Sequence, residues 1–448
     1  MTGIIDTSRP ARPGNADRER VAVIGSGIAG LTAAYLLQRR YDVLLFEADD
    51  RLGGHAHTHE LPGEHGGMLA IDTGFIVHNA RTYPNLLRLF GELGIATQET
   101  DMSMSVRCEG CGLEYAGAKG PRGLFAQAGS LARPQFLRML GEVKKFHRHA
   151  RGLLRTPAGP EPEPTLGQFL ARGGYSRYFT DHFMIPLVSA VWSTGPEFVL
   201  RYPARYLFQF LQHHGMLAVT GSPQWRTVTG GSARYVERAV KNLSAVHTAT
   251  PVRSIIRGAD HVEVRDGSGM AHLVDRIVLA THPDQALRML VDATPTERAV
   301  LGAIGYSRNE TVLHTDAGIL PRSAAARSSW NYLVTGCSAS PRPAESAGSA
   351  DAARAVVSYD MNRLHRLSSP TDYVVTLNGS DLIDPDTVLA RMVYEHPIFT
   401  PESVGAQERL PELTTSRTAF AGAYHGWGFH EDGCASGVAA AAAFGVTW

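Results

Sequence analysis

Apolar residues first gather at Val21-Ala22-Val23-Ile24, a β-branched run of the buried-strand type. Residues 1–19 before it are largely polar and hold Pro10 and Pro13, which predicts a disordered tail with no secretion signal. The run passes directly into Gly25-Ser26-Gly27-Ile28-Ala29-Gly30, and then into Leu31 to Leu37, which has helical composition. A second predicted strand, Asp42 to Phe46, ends at Glu47. The middle of the chain is less regular. Thr82 to Gly94 reads as a helix, and Met102 to Tyr115 as a hairpin with Cys108 and Cys111 at its tip. Phe136 to Leu154 reads as a basic amphipathic helix and Thr156 to Pro164 as a surface loop. Strands are expected at His247–Ile256, His261–Asp266 and His272–Ala280. Ser338 to Ala353 has the composition of a flexible excursion, and Gly437 to Phe444 that of an alanine-rich helix. No internal repeat interrupts this order.

Composition narrows the class. At roughly 150 residues per domain, 448 residues suggest two or three lobes. The balance of 43 basic and 43 acidic side chains argues against a nucleic-acid binder held by counterion release. No run of apolar residues is long enough for a spanning helix. Four cysteines cannot staple a chain of this size, which fits a reducing, cytoplasmic compartment.

The glycine turn carries the first chemistry. A GxGxxG is informative when a strand precedes it, a helix follows it and an acidic residue ends the next strand, and all three hold here. Gly25 allows the tight turn, Gly27 lets backbone approach a pyrophosphate, and Gly30 permits close helix packing. The helix N-terminus at Ile28 and Ala29 offers unpaired N–H groups to phosphate, and Glu47 is placed to accept from a ribose. NAD and FAD share this fingerprint, so the flanks decide between them.

Downstream of Glu47 comes Arg51-Leu52-Gly53-Gly54, and with it the chain resembles the amine oxidase and phytoene desaturase superfamily of FAD enzymes. The resemblance implies a Rossmann-like FAD domain in which Arg51, Gly53, Gly54 and the next residue lie along the cofactor. That next residue is His55 here, where the family usually has arginine, so a classical amine-oxidising site is less well matched. Thr250 to Ile255 resembles the second FAD block, with Val252 as the adenine-holding position. Glu431-Asp432-Gly433, with Ser436-Gly437 ahead of a helix, resembles the terminal FAD motif. A narrower likeness is to bacterial amine-oxidase-like NAD/FAD-binding proteins associated with cyclopropane fatty acid synthases. It rests on Gly54-His55-Ala56-His57, Asp72-Thr73-Gly74-Phe75, Leu313-His314-Thr315-Asp316, Ser329-Trp330-Asn331-Tyr332 and Tyr424-His425-Gly426-Trp427-Gly428-Phe429-His430. That likeness implies redox chemistry on an unsaturated or modified fatty acyl chain.

Physically, Tyr424, Trp427 and Phe429 could form an apolar slot for substrate beside the flavin. His430 and His425 are the candidate acid–base groups, with a hydrogen-bonded wall role as the alternative. His55, His57 and His59 alternate as strand neighbours would, and a polar strand face or a flavin contact explains them better than a metal. Cys108 and Cys111 have half of a zinc-knuckle spacing. Cys337 and Cys434 stand isolated in the sequence, so zinc is not expected and no metal is assigned. Asp72-Thr73-Gly74 is expected to shape a loop near the flavin. The aromatics between residues 175 and 235 divide between core and substrate wall in a way the sequence does not reveal. The helix bearing Arg138, Lys144, Lys145, Arg148 and Arg151 reads as a solvated face, with anionic lipid headgroups or an acyl carrier as the alternative.

The resulting expectation is a two-lobed α/β flavoprotein with FAD as cofactor. Its Rossmann-like FAD-binding domain comprises about 20–80, 215–285 and 405–448, and its mixed-sheet and helical substrate domain comprises 81–214 and 286–404. The expected activity is FAD-dependent oxidation, desaturation or isomerisation of a hydrophobic, fatty-acyl-type substrate, with hydride transfer at flavin N5. The alternatives are an amine oxidase, or a flavin-carrying accessory subunit of a cyclopropane fatty acid synthase-like methyltransferase. An amine oxidase would usually place a lysine near N5, and Lys119, Lys144, Lys145 and Lys241 all lie in segments not expected beside the ring.

Overall fold

A computed structural model describes residues 18–63, 66–157, 159, 162–218, 221–337 and 354–448. The tail (residues 1–17) and the Ser338–Ala353 segment lie outside the described residues, as does part of 156–164. Strand β1 (Arg20–Ile24), helix α1 (Ile28–Leu37) and strand β2 (Asp42–Phe46) form where the apolar pattern places them. β1 and β2 pair in parallel, Val21 opposite Val43 through Ile24 opposite Phe46, and both are buried on both faces, hence their unbroken apolar runs. The sheet continues with Ala245–His247 beside β2, and with Arg276–Leu279 and then Thr418–Phe420 on the other side of β1, all parallel.

The expected strand 247–256 is two strands. Ala245–His247 belongs to the parallel sheet, while Val252–Arg257 starts a three-stranded antiparallel sheet with Val262–Asp266 and Ala271–Val274. The break is fixed by backbone bonds from Ala249 N to Asp49 O and from Thr250 N to Glu47 O, with Ala249 at φ +50°. The expected strand 272–280 divides too, because Arg276 to Leu279 leaves the antiparallel layer to pair with β1.

The second large sheet has seven strands in the order 388–397, 306–314, 374–377, 356–360, 330–334, 104–108 and 114–116. It is antiparallel except where Trp330–Val334 runs parallel to Met104–Cys108. Helices 134–155, 166–172, 185–192 and 204–213 form an aromatic layer beside it, centred on Phe146, Phe179 and Phe208. Within the basic helix, Lys145 donates to the carbonyl of Gly173 and Arg151 to that of Leu217. No helix among the described residues is long and apolar enough to cross a membrane.

The C-terminal helix runs from His430 to Ala443 and so starts a full two turns before the expected Gly437. It lies against α1. A Cβ on Gly433 would meet Ile28 Cγ2 at 2.7 Å, and one on Gly437 would meet Ala29 O at 2.4 Å. Two glycines four residues apart therefore bring the backbones together directly above the glycine turn.

Candidate functional site

Between the two sheets lies a cavity of about 1100 Å³. At one end its floor is the glycine turn. Gly25 has φ +98°, a backbone that L side chains rarely adopt, and a Cβ there would lie 2.7 Å from Ala280 O. Gly27 is different, because a Cβ on it would meet nothing within 4 Å and would project into the cavity it lines. Gly27 is also the N-cap of α1, with no side-chain cap and no acidic residue in the first turn, so the first N–H groups, at Ile28 and Ala29, have no side-chain acceptor. Gly54 closes over this cradle, its would-be Cβ 3.2 Å from Gly27 Cα. Glu47 sits at the rim, where its carboxylate accepts from Ser26 N at 2.9 Å and from Ser26 Oγ. Arg51 Nη1 donates to Gly54 O at 2.8 Å, and Val252 borders the same end. The residues present thus fit a dinucleotide: open space at the one glycine where phosphate must approach, free helix N–H groups and a carboxylate at the strand end.

Gly30 packs against Gly25 O, the close helix packing expected of the third glycine, and does not itself line the cavity. Other expected cofactor residues also lie off the lining: Gly53, at φ +108°, donates its N–H to Ser26 Oγ. Glu431, Asp432 and Gly433 do not line it either. Glu431 accepts from Asn85 N, Asn85 Nδ2 and Leu86 N, capping helix α2 (Pro84–Leu93). Asp432 turns back to Phe429 N at 2.9 Å, and Gly433 is the contact with Ile28. Burial pushes the Asp432 carboxyl up to about 7.

The other end of the cavity is aromatic. Trp192, Phe210, Trp225, Trp330, Tyr359 and Phe429 line it, while Phe146, Phe179, Tyr202 and Phe208 are core. Of the slot expected from the sequence, Tyr424 and Phe429 reach the cavity. Trp427 does not: its carbonyl accepts from Trp192 Nε1, and its ring lies behind Phe210 and His213. His425 is likewise outside, buried beside Tyr424, with burial holding its pKa at about 4. Residues 423–425 form a tight turn from which Ala423 and Tyr424 reach the cavity and His425 does not, a division that sequence order does not show.

His430 does line the cavity. Its ring stacks on Phe75 at 3.7 Å, nearly parallel, and its Nε2 pairs with Tyr235 Oη at 3.0 Å. Burial lowers its pKa to about 3, so it is neutral. His55 lies near Tyr394 and His396, and burial together with His396, His282, His430 and Arg51 holds it well below the usual histidine range. His57 and His59 turn elsewhere; their rings are 4.2 Å apart, and His57 Nδ1 meets Tyr394 Oη at 2.9 Å. Asp72 binds the Ser232 amide and hydroxyl, and Gly74 packs directly on His55 O, so the Asp72–Gly74 loop sets where His55 sits.

His282, Tyr394 and His396 also line the cavity, outside every motif of the sequence. Tyr394 and His396 are two apart on the strand Val388–Pro397, an alternation that could have marked one cavity-facing edge. Asn309 Nδ2 donates to His396 Nδ1 at 3.0 Å, which leaves the ring proton on Nε2. His282 Nδ1 pairs with Glu395 Oε2 at 3.1 Å. None of the four lysines lines the cavity.

A parallel sheet with a glycine cradle beneath a closing second glycine, opposed by a mixed sheet carrying an aromatic wall, defines a dinucleotide-dependent redox fold. Residues 28–314 match the family model described as flavin containing amine oxidoreductase, and the chain belongs to that family, with FAD as its cofactor. Its relatives include the AofH protein of Mycobacterium tuberculosis, described as a flavin-containing monoamine oxidase, 28% identical over 287 residues. That match covers 61% of this chain and spans 59% of the relative's length. Tryptophan 2-monooxygenase of Allorhizobium ampelinum is 50% identical over 54 residues, 12% of this chain and 8% of that enzyme. Among solved structures, the fold is shared with a CLA-producing fatty acid isomerase from P. acnes: TM-score 0.64, 18% identity, 94% of this chain and 97% of that one. Cyclohexylamine oxidase from Brevibacterium oxydans gives a TM-score of 0.65 at 18% identity, over 95% and 98%.

Proposed function

We propose that the protein is an FAD-dependent oxidoreductase acting on a hydrophobic, fatty-acyl or related unsaturated substrate. The observation that carries this reading is the chemistry of the wall beyond the cradle. Trp192, Phe210, Trp225, Trp330 and Tyr359 there are accompanied by Ile76, Met102, Val191 and Met216, and by no carboxylate. The acidic lining residues are Glu47 and Asp49 at the dinucleotide end and Glu395, which is bonded to His282. An amine is protonated near neutral pH, and its desolvation in such a slot would have no opposite charge to offset it. An acyl chain loses nothing polar there and gains from apolar burial at about 25 cal/mol per Å². The fold does not choose between the two, since a fatty acid isomerase and an amine oxidase share it equally well.

FAD, when bound, would supply a two-electron acceptor that takes a hydride. The chain's own part is positional. The aromatic wall binds the chain and excludes water, and Phe75 with Tyr235 holds His430 flat against the lining. His396, fixed by Asn309, presents its Nε2–H as a neutral donor, with burial lowering its pKa to about 4. The imidazoles therefore orient or polarise a substrate rather than meet it with charge. A methyltransferase of the cyclopropane fatty acid synthase type is the partner this reading carries, and co-purification tests it.

The experiment is anaerobic flavin absorbance after mixing with unsaturated phospholipid or fatty acid, and separately with a panel of primary amines. Bleaching by lipids alone is expected. Bleaching by amines alone refutes the substrate class. A flavin that stays oxidised with lipid while the double bond shifts position identifies a redox-neutral isomerisation of the same substrate.

A further inference from the structure

Outside the flavin cavity, four side chains meet that the sequence holds far apart. Cys108, Cys111, His182 and Cys337 each direct a ligand atom to one point, all four atoms within 4.8 Å of one another. The isolation of Cys337 in the sequence disappears in the fold. Strand 330–334 runs parallel to 104–108 with Val334 opposite Cys108, and Glu109 N donates to Val334 O at 2.9 Å, so residue 337 arrives beside the hairpin tip. Cys108 and Cys111 flank the turn, with Gly112 at φ +67° reversing the chain after the second thiol. His182 comes from a π-helical turn, Thr180–Met184, immediately before the helix 185–192.

We propose that these four residues form a zinc site of the Cys3His type. The donor set is the one zinc takes in closed structural sites, three thiolates and an imidazole with all four positions filled by protein. Tetrahedral coordination at about 2.0–2.3 Å requires ligand atoms roughly 3.3–3.8 Å apart. Cys111 Sγ and His182 Nε2 are already 3.4 Å apart, and with all four atoms within 4.8 Å of one another the full set closes with shifts of about an ångström or less. The surrounding bonds prepare the ligands. His182 Nδ1 faces Tyr178 O at 3.0 Å and donates to it, which leaves the Nε2 lone pair for the metal, and the Tyr178 ring stacks on the imidazole at 4.0 Å. Tyr115 Oη donates to His182 O at 2.8 Å. Arg133 donates to Cys111 O at 3.0 Å, placing a cation beside a centre that would carry one net negative charge. Cys108 and His182 are buried, while Cys111 and Cys337 are partly open and give the ion its way in. Binding converts three thiols to thiolates and releases three protons, with no change of oxidation state.

With no open coordination position, the site is a clamp. It joins the hairpin that follows Met102, the strand that begins with Trp330 and the helix that ends with Trp192, and all three of those residues line the cavity. Zinc would thus hold together the wall that receives substrate.

The test is metal analysis by plasma mass spectrometry of the full-length flavoprotein, purified without chelator. About one zinc per chain is expected, lost in Cys111→Ser and Cys337→Ser and retained in Cys434→Ser, which lies outside the cluster. The wild type covers variants that do not fold: stripped of metal and given cobalt, it should show the intense visible bands of tetrahedral thiolate coordination. The absence of both zinc and a cobalt spectrum overturns the proposal. Zinc that persists in Cys337→Ser, or a Cys108–Cys111 disulfide in the native protein, overturns it as well.

Discussion

Glu431 is where the family motif and the geometry part company, and replacing it separates them. In Glu431→Ala, Asn85 N, Leu86 N and Asn85 Nδ2 lose their acceptor, at 3.0, 3.0 and 2.7 Å respectively. The first two are first-turn donors of α2, whose N-cap, Tyr83, provides no side-chain acceptor of its own. Loss of an N-cap costs about 1–2 kcal/mol, and a hydrogen bond to a charged group contributes about 1.5–3 kcal/mol. Because Glu431 is half-buried, water reaches part of the gap, and a total loss of ~2–4 kcal/mol is expected. Unfolding entropy of about 2.1 cal/mol/K per residue gives roughly 0.9 kcal/mol/K for a chain of this length, so Tm should fall by ~2–4 °C. The assay pairs a tryptophan-fluorescence melt with flavin content released by denaturation. The expected result is a lower Tm with flavin content unchanged. A variant that melts with the wild-type apoprotein yet purifies without flavin would put the carboxylate on the cofactor and refute the assignment to α2.

Gly27→Val should fold, because a Cβ there meets no protein atom within 4 Å, yet should weaken FAD binding at least ~10-fold by filling the space phosphate needs; flavin titration of the apoprotein measures it. Gly437→Val should do the opposite kind of damage. Its Cβ starts 2.4 Å from Ala29 O, so the helices must part at a cost of ~3 kcal/mol or more, seen as a lower Tm or insolubility; equal stability would deny the close packing. Acid should destabilise the protein through its buried histidines. Burial lowers His78, His214, His314, His396 and His425 to about 4 from an ordinary 6.5, so above pH 6.5 they are neutral in both folded and unfolded chains and stability is at its full value. As pH falls from 6.5 towards 4, the unfolded chain takes up protons that the folded one refuses, and each group costs up to ~1.4 kcal/mol per pH unit. Thermal melts across that window should show Tm dropping steadily, and a flat profile would contradict the burial of these rings.

What could be read from the chain was local. The run Val21–Ile24, the glycine turn and Glu47 are contiguous, and each step between them is set by backbone sterics and strand burial, so the cradle was legible residue by residue. The hairpin around Cys108 and Cys111 and the basic helix 134–155 were legible for the same reason. Tertiary packing decided everything that depends on which way a side chain turns. It moved Glu431 and Asp432 from cofactor to capping, because two helix starts meet where α2 approaches the C-terminal helix. It put His425 and Trp427 behind the wall while bringing onto it His282, from the N-cap of the helix 283–289, and Tyr394 and His396, from the strand 388–397. The same principle gathered Cys337 and His182 at the CxxC hairpin, since a parallel strand pairing and a helical turn joined what sequence distance had kept apart. A motif fixes backbone shape over a few residues, whereas a site made of side chains from distant segments exists only once the sheets and helices that carry them have packed.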